Sequence, residues 1–479
     1  MKLNYKRTLL VGMAFFLISA FWQAYDAIIP LILTNHFGLP QTASGAVMSL
    51  DNVLAVFLLP IFGALSDKVN TKAGKRTPFI LFGTIIAIVA FIGLTFIDNY
   101  QLAHTVQEAR RLVAESDVNF QAISAADDSL YRGMVAEEAL KLTIQNPLPL
   151  VGFIATLLVV LLAMATFRSP AVALMPDVTV KPLRSKANAI INLTGTAGGI
   201  LVLVLGMVFA TSKKIYQSYT AYVVAVTCIM LTGLVIFLLS VKEKKWAAEM
   251  EAETRRLGLE DAPAANTESD TKRALSRPEM TSLLLILASV ALWYIGYNSI
   301  TSKYSVYATN ILGFDYNSTL IIAQAAAIVS YIPVGAVASR IGRRKTILSG
   351  IIILATAFLL GNFITPRIHP AVMYPIFILA GIGWATINVN SFPMVVELAR
   401  GGDVGKYTGY YYTASMSAQI VAPILSGFLY DLIGMRYVFF AFGTIFVALS
   451  FITMFLVRHG DAKLPETKTA LERLDVGED

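Results

Sequence analysis

Four ionisable residues fall inside long apolar runs of this chain: Asp26, Asp51, Arg168 and Lys303. A charge at bilayer depth is costly, so each marks a functional position by default. Asp26 and Asp51 lie about nine and eight residues from the same end of two successive antiparallel runs. At 1.5 Å per residue both sit roughly 12 Å below one surface. Two carboxylates at one depth on neighbouring helices can share a proton or offer oxygens to Na+. Lys303 has a similar depth in a later run. Paired with a carboxylate it would tie protonation to closure of one side; a static ion pair is the alternative. Asp26, Asp51 and Lys303 therefore form the cation-coupling set. Arg168 follows an uncharged stretch, 148–167. Its guanidinium is a planar fork of donors for hydroxyls or a carboxylate, unless it snorkels to the interface.

Amides and aromatic rings accompany these charges. Trp22, Gln23 and Tyr25 surround Asp26, and Asn188 and Asn192 are one turn apart on one helical face. Trp293, Tyr297, Asn298, Gln324, Trp384, Asn388 and Gln419 follow in the second half of the chain. Sugars present hydroxyls at their edges and C–H bonds on their faces; amides suit the first and rings the second. These residues, with Arg168, are the substrate-binding candidates.

The elements that must position them are membrane helices. Of the 479 residues, 56% are hydrophobic and 14% charged. Twelve runs are each long enough for a ~30 Å hydrocarbon core: 8–34, 43–66, 78–97, 148–170, 186–210, 217–240, 281–309, 318–339, 346–364, 371–396, 406–430 and 436–457. Lys2, Lys6 and Arg7 before the first run resemble the start of a signal peptide, but no clean cleavage site follows, so the run reads as a retained helix. Loops on the N-terminal side hold 28 of the 38 basic residues. That bias predicts cytoplasmic termini in a cell membrane. The net charge of +7 is thereby a topology signal and not a nucleic-acid surface. The one cysteine, Cys228, excludes an internal disulfide, and no Cys/His cluster suggests a metal or other cofactor.

The chain repeats itself. Trp22 matches Trp293 at an offset of 271, and Gly63 matches Gly335 at 272. Thr34-Asn35-His-Phe-Gly38 matches Thr309-Asn310-Ile-Leu-Gly313 at 275. Asp177 and Glu397 then correspond at only 220, so the first half carries an insertion, residues 98–147. The expected organisation is an all-α membrane protein of two six-helix parallel-repeat halves, 1–240 and 281–457. Residues 241–280 form a charged linker and 458–479 a polar tail. The insertion, with Leu102, Val106, Ala109 and Leu112-Val113 on one helical face, reads as a short amphipathic cap on the outer side. It serves substrate capture or is passive.

Two basic loops carry the second signal. Gly63-Ala-Leu-Ser-Asp67 leads to Gly74-Lys-Arg76, and Gly335 leads to Gly342-Arg343-Arg-Lys345. The pair resembles the loop motif of the major facilitator superfamily, found between helices 2 and 3 and again between 8 and 9. Gly63, Asp67, Arg76, Asp177, Arg343 and Glu397 are thus the candidates for a cytoplasmic gate. Asp67 ends its helix against the dipole and needs a cationic or helix N-terminal partner on a neighbouring element.

Four segments resemble the glycoside–pentoside–hexuronide:cation symporters, in particular the sucrose/proton branch. They are Pro60–Asp67 with Gly74-Lys-Arg-Thr-Pro-Phe-Ile80, Arg168-Ser-Pro-Ala-Val-Ala-Leu-Met-Pro-Asp177, Ala187-Asn188-Ala-Ile, and Gly381-Ile-Gly-Trp-Ala385 through Pro393. The resemblance implies the major facilitator fold and a sugar or glycoside carried with a cation. It also implies that Arg168 contacts substrate. That branch carries an acid in helix 4, outward of the arginine, which this chain lacks. Asp26 and Asp51 are then the coupling candidates.

The reading is a sugar:H+ symporter working by alternating access, with Na+ as the other coupling ion. It needs a bilayer and a small-molecule substrate, and no protein partner is evident. The rivals are an efflux transporter of drugs or metabolites, and a non-transporting sensor or scramblase on the same fold. No nucleophile–base pair suggests an enzyme.

Overall fold

A computed structural model describes residues 3–116, 128–180, 183–213, 215–256, 276–398 and 404–459. Every regular element among them is helical. Twelve long helices follow the twelve apolar runs: α1 (Tyr5–Asn35), α2 (Leu50–Lys68), α3 (Thr77–Gln101), α4 (Leu148–Val178), α5 (Arg184–Val208), α6 (Thr220–Ser240), α7 (Arg277–Thr301), α8 (Tyr316–Ile341), α9 (Arg343–Gly361), α10 (Met373–Val396), α11 (Val404–Leu429) and α12 (Met435–Leu456). Ten stretches are long and apolar enough to span a bilayer. One of them, Lys406–Leu456, contains both α11 and α12, and the 26-residue α8 completes the set.

The helix ends follow local chemistry. Asn4 caps α1 by accepting from the Arg7 amide at 3.1 Å, and Ser276 and Glu279 form a capping box on α7. The repeat is visible in the backbone. The Asn-His-Phe-Gly38 and Asn-Ile-Leu-Gly313 turns both end on a glycine at φ 69°, a left-handed conformation that a side chain disfavours.

Three helices depart from single straight rods. A helix Gln41–Met48 precedes α2 and is separated from it at Ser49, which puts Asp51 in the first turn of α2. After α7 the chain breaks at Ser302-Lys303 and resumes as Tyr304–Val306 and a π-helical turn, Tyr307–Leu312. A second π turn, Tyr430–Gly434, joins α11 to α12.

The insertion is larger than the expected short cap. A π turn, Leu102–Val106, continues α3 into the helix Gln107–Ser116, and a second helix, Asp128–Gln145, returns to α4. Ala109, Val113, Val135 and Ala139 close a small core between them. In the linker, Glu243–Arg256 is helical. Its residues 257–275, insertion residues 117–127 and tail residues 460–479 lie outside the described residues.

The side holding Leu3 and His459 is called the near side below, and the opposite one the far side. Contacts between the halves join α1 to Tyr304–Val306, Gln41–Met48 to α11, and α5 to α8.

Candidate functional site

α1 is the most buried of the spans, yet Asp26 on it is exposed and Trp22 and Gln23 are half-buried. These three share one face at helical spacing. Around them the fold gathers residues from α2 and α4. Asp51 lies within electrostatic reach of both Asp26 and Arg168. The Arg168 guanidinium sits 5.8 Å from the Trp22 ring centroid, within cation–π range. Asn52 donates to Asp51 Oδ1 at 2.8 Å. At Gly63 α2 runs close to α4 beside Arg168: a Cβ there would meet Ser169 Oγ at 2.9 Å, so the serine would have to turn aside. Asp51 thus links Asp26 and Arg168 electrostatically within the N-terminal half.

The facing half supplies aromatic rings. Tyr297 and Trp384 stack at 3.7 Å with planes 8° apart, and Tyr294 meets Trp384 edge-on at 5.3 Å. Behind them Tyr294, Tyr411 and Ser391 are linked through their hydroxyls at 3.5 and 3.0 Å. Between the halves Gln324 Nε2 donates to Gln23 Oε1 at 2.6 Å, with Gly199 of α5 against both amides.

The far side is closed by polar contacts across the halves. Asn310 Nδ2 donates to Asn35 Oδ1 at 2.6 Å. Asp431 accepts from the amides of Gln41 and Thr42, both at 2.7 Å, and so caps Gln41–Met48 from the other half. Ser212 Oγ donates to Asp315 at 2.5 Å. Gly45 packs on the Pro423 carbonyl and Gly427 on that of Gln41, leaving no room for a Cβ. Behind this seam His36 is fully buried, its Nδ1 2.6 Å from Asp98 Oδ1 and its Nε2 3.1 Å from the Ile215 carbonyl. A carbonyl only accepts, so Nε2 carries a proton. Burial works against the imidazolium, but Asp98, beside it and bonded to it, and the Ile215 carbonyl together hold the His36 pKa above its ordinary 6.5.

Comparison with known proteins agrees with this architecture. A family model described as Major Facilitator Superfamily matches residues 139–400 and 317–476, and one described as MFS/sugar transport protein matches 10–106. The chain belongs to the Major Facilitator Superfamily. No curated protein matches it in sequence. Among solved structures, it is similar to the inward open xylose transporter XylE from E. coli, with TM-score 0.63 and 12% identity over 98% of this chain and 99% of that one. A D-xylose-proton symporter gives 0.58 and 14% over 95% and 99%, and the nucleoside transporter NupG 0.52 and 14% over 94% and 100%. At such identities the likeness is one of fold. Superfamily membership makes the chain a multi-pass membrane transporter and not an enzyme.

The superfamily loop motif is formed on the near side. Arg76 Nε donates to Asp177 at 2.8 Å and Nη2 to Asp67 at 2.5 Å, while Nη1 reaches Ser66 Oγ and, at 3.4 Å, the Gly63 carbonyl. Burial opposes the charge of Arg76, but Asp177 and then Asp67 outweigh it and raise its pKa. In the other half Arg343 pairs with Glu397. Each of these pairs lies within its own half.

Several expectations need correction. Lys303 does not join the carboxylates of α1 and α2. The break after α7 buries it completely, where it donates to Ser44 Oγ at 2.6 Å with Asp431 as its charged neighbour. It belongs to the far-side seam. Tyr25 and Trp293 are fully buried and Asn188 nearly so, covered by neighbouring helices. Asn192, Asn298, Asn388 and Gln419 remain half-buried. The Asn298 amide is already committed to the Tyr294 carbonyl at 2.9 Å.

Sequence reasoning missed Glu243. Its carboxylate accepts from the amides of Lys75, Arg76 and Thr77 at 2.6, 2.9 and 2.8 Å, and from Thr77 Oγ1 at 2.7 Å. It caps α3 from the linker, and a Cβ on Gly74 would strike it. The only sequence signal is an acid opening the linker helix, which names no partner.

Proposed function

We propose that this transporter carries a sugar or glycoside together with a cation, H+ before Na+, and that it belongs to the sucrose/proton-like branch of the cation symporters. The grouping of Asp26, Asp51 and Arg168 around Trp22, opposite the Tyr297–Trp384 stack, carries the proposal. A pyranose has C–H faces for the rings and hydroxyls for Arg168, Gln23, Asn192 and Asn388. No other cofactor is required. The near side is the cytoplasmic one, because 28 of 38 basic residues lie there, and the membrane is that of the cell. The D-xylose-proton symporter among the structural neighbours lends support by analogy of fold.

Asp26 reaches the accessible face and takes the proton. Two close carboxylates tolerate one shared proton better than two charges. Protonation of Asp26 leaves Asp51 as the partner of Arg168 and removes one charge from the face that must close on a neutral sugar. Closure of the near side then requires the motif residues Asp67, Arg76, Arg343 and Glu397 to meet across the halves.

The deciding experiment is uptake of labelled mono- and disaccharides into proteoliposomes under an inward proton or sodium gradient. Uphill accumulation in the wild type, abolished by Asp26→Asn with exchange at equal concentrations preserved, is the expected result. No sugar movement under either gradient overturns the proposal.

A further inference from the structure

The helix Asp128–Gln145 of the insertion belongs by chain to the N-terminal half, yet it touches the other half. Arg132 Nη1 donates to the Thr309 carbonyl at 2.8 Å and lies 3.3 Å from that of Asn310. Both carbonyls stand in the π turn Tyr307–Leu312, just before the left-handed Gly313. The last carbonyls of a helix lack intrahelical donors and carry its negative end. A guanidinium suits them on both counts.

The helix that presents Arg132 is firmly held by its own half. Gly38, after α1, packs against the Ala136 carbonyl and Leu140 with no room for a Cβ. Gln101 Nε2 joins the root of the insertion to the end of α1, donating to the His36 carbonyl at 3.1 Å and to Thr143 Oγ1 at 2.9 Å. Val135 and Ala139, fully buried in the insertion's core, fix the helix from its other side. Arg132 is thus attached to the end of α1 and grips the end of α7's extension. When the halves rock apart on the far side those two ends separate, and a contact bridging them must break.

We propose that the helix Asp128–Gln145 is an external latch, in which Arg132 stabilises the far-side-closed state and sets how often the transporter opens outward. The proposal needs only that the halves alternate, and it stands whether or not the substrate is a sugar. A contact present in one state and absent in the other shifts the equilibrium by its differential free energy.

The test uses the full-length protein in nanodiscs with Cys228→Ser, spin-labelled at Ser218→Cys and Arg367→Cys, one exposed far-side position in each half. Pulsed dipolar spectroscopy reads the populations of the short and long distances. Arg132→Ala is expected to raise the long-distance population about threefold to tenfold, the range for a half-exposed charge-assisted bond. Arg132→Lys, which keeps the cation, should shift it less, and Arg132→Glu, which sets an anion against the carbonyls, more. Gly427→Trp, which wedges α11 from Gln41, is the control that forces the long distance. Populations in all three Arg132 variants equal to wild type, with the control responding, overturn the latch. Three variants shifted alike also overturn it, because a merely structural residue is insensitive to the sign of the charge.

Discussion

Asn35 and Asn310 occupy equivalent places in the two halves and bond to each other across the far side, each amide nitrogen facing the other's oxygen at 3.4 and 2.6 Å. Two copies of one turn thus meet at the seam that closes the molecule. Replacing either with alanine leaves its partner amide unpaired and should shift the equilibrium toward the far-side-open state by about 1 kcal/mol, near fivefold. Asn35→Ala/Asn310→Ala should cost less than the sum of the singles. Distances between far-side spin labels check both.

At Gly45 and Gly427 helices of opposite halves meet backbone to backbone, with no room for a Cβ. Gly45→Val puts two methyl groups into the Pro423 carbonyl. Far-side closure should then fail, holding the protein open to that side and slowing net uptake at least tenfold. Binding from the far side should survive, as titration by tryptophan fluorescence would show.

Glu243 ties the linker helix to the gate loop through three backbone amides and a hydroxyl. Glu243→Gln keeps the shape and loses the charge that favours a helix N-terminus. A loss of about 1–2 kcal/mol of local stability is expected. Hydrogen exchange should quicken in the helix Glu243–Arg256 and the first turn of α3, and not in α9.

His36 makes stability depend on pH. Its pKa is raised in the folded protein. The contribution is therefore complete below the ordinary imidazole value of 6.5 and is lost as pH climbs through the raised folded value. Thermal unfolding temperature should fall across that window, and His36→Gln should flatten the profile. Asp98→Asn removes the charge that favours the imidazolium, so burial leaves His36 neutral and this part of the pH dependence should disappear.

The coupling role proposed for Asp26 has a signature separate from binding. In Asp26→Asn, the pH dependence of uptake should vanish while sugar protection of a near-side label remains. Asp51→Asn should also weaken sugar affinity, because Arg168 loses its ionic partner.

Much of this was legible in the residues alone, and the reason is the bilayer. Hydrocarbon demands long apolar helices, so the twelve runs mark the twelve helices, and the basic loops predict an orientation to be tested. Most limits agree within a few residues, but α2 starts seven residues later than its run, α4 ends eight later and α7 eight earlier. The repeat made Asn35 and Asn310 equivalent positions, although only the fold shows that they meet. Costly charges at depth picked out Asp26, Asp51 and Arg168, which the fold links electrostatically through Asp51. Where the sequence failed, the partner lay far along the chain. Lys303 has the composition of a coupling residue, but only the break after α7 decides that it faces Ser44 and Asp431. Glu243 and Arg132 sit in polar segments where charge is cheap, so nothing local distinguishes them from solvated surface. Tyr25 and Trp293 lie three and four residues from Trp22 and Tyr297, on nearly the same helical stripe, and differ in what the rest of the bundle packs over them, which no periodicity reports. Helices and depth follow from local hydrophobicity; which side chains meet follows from the packing of the two halves.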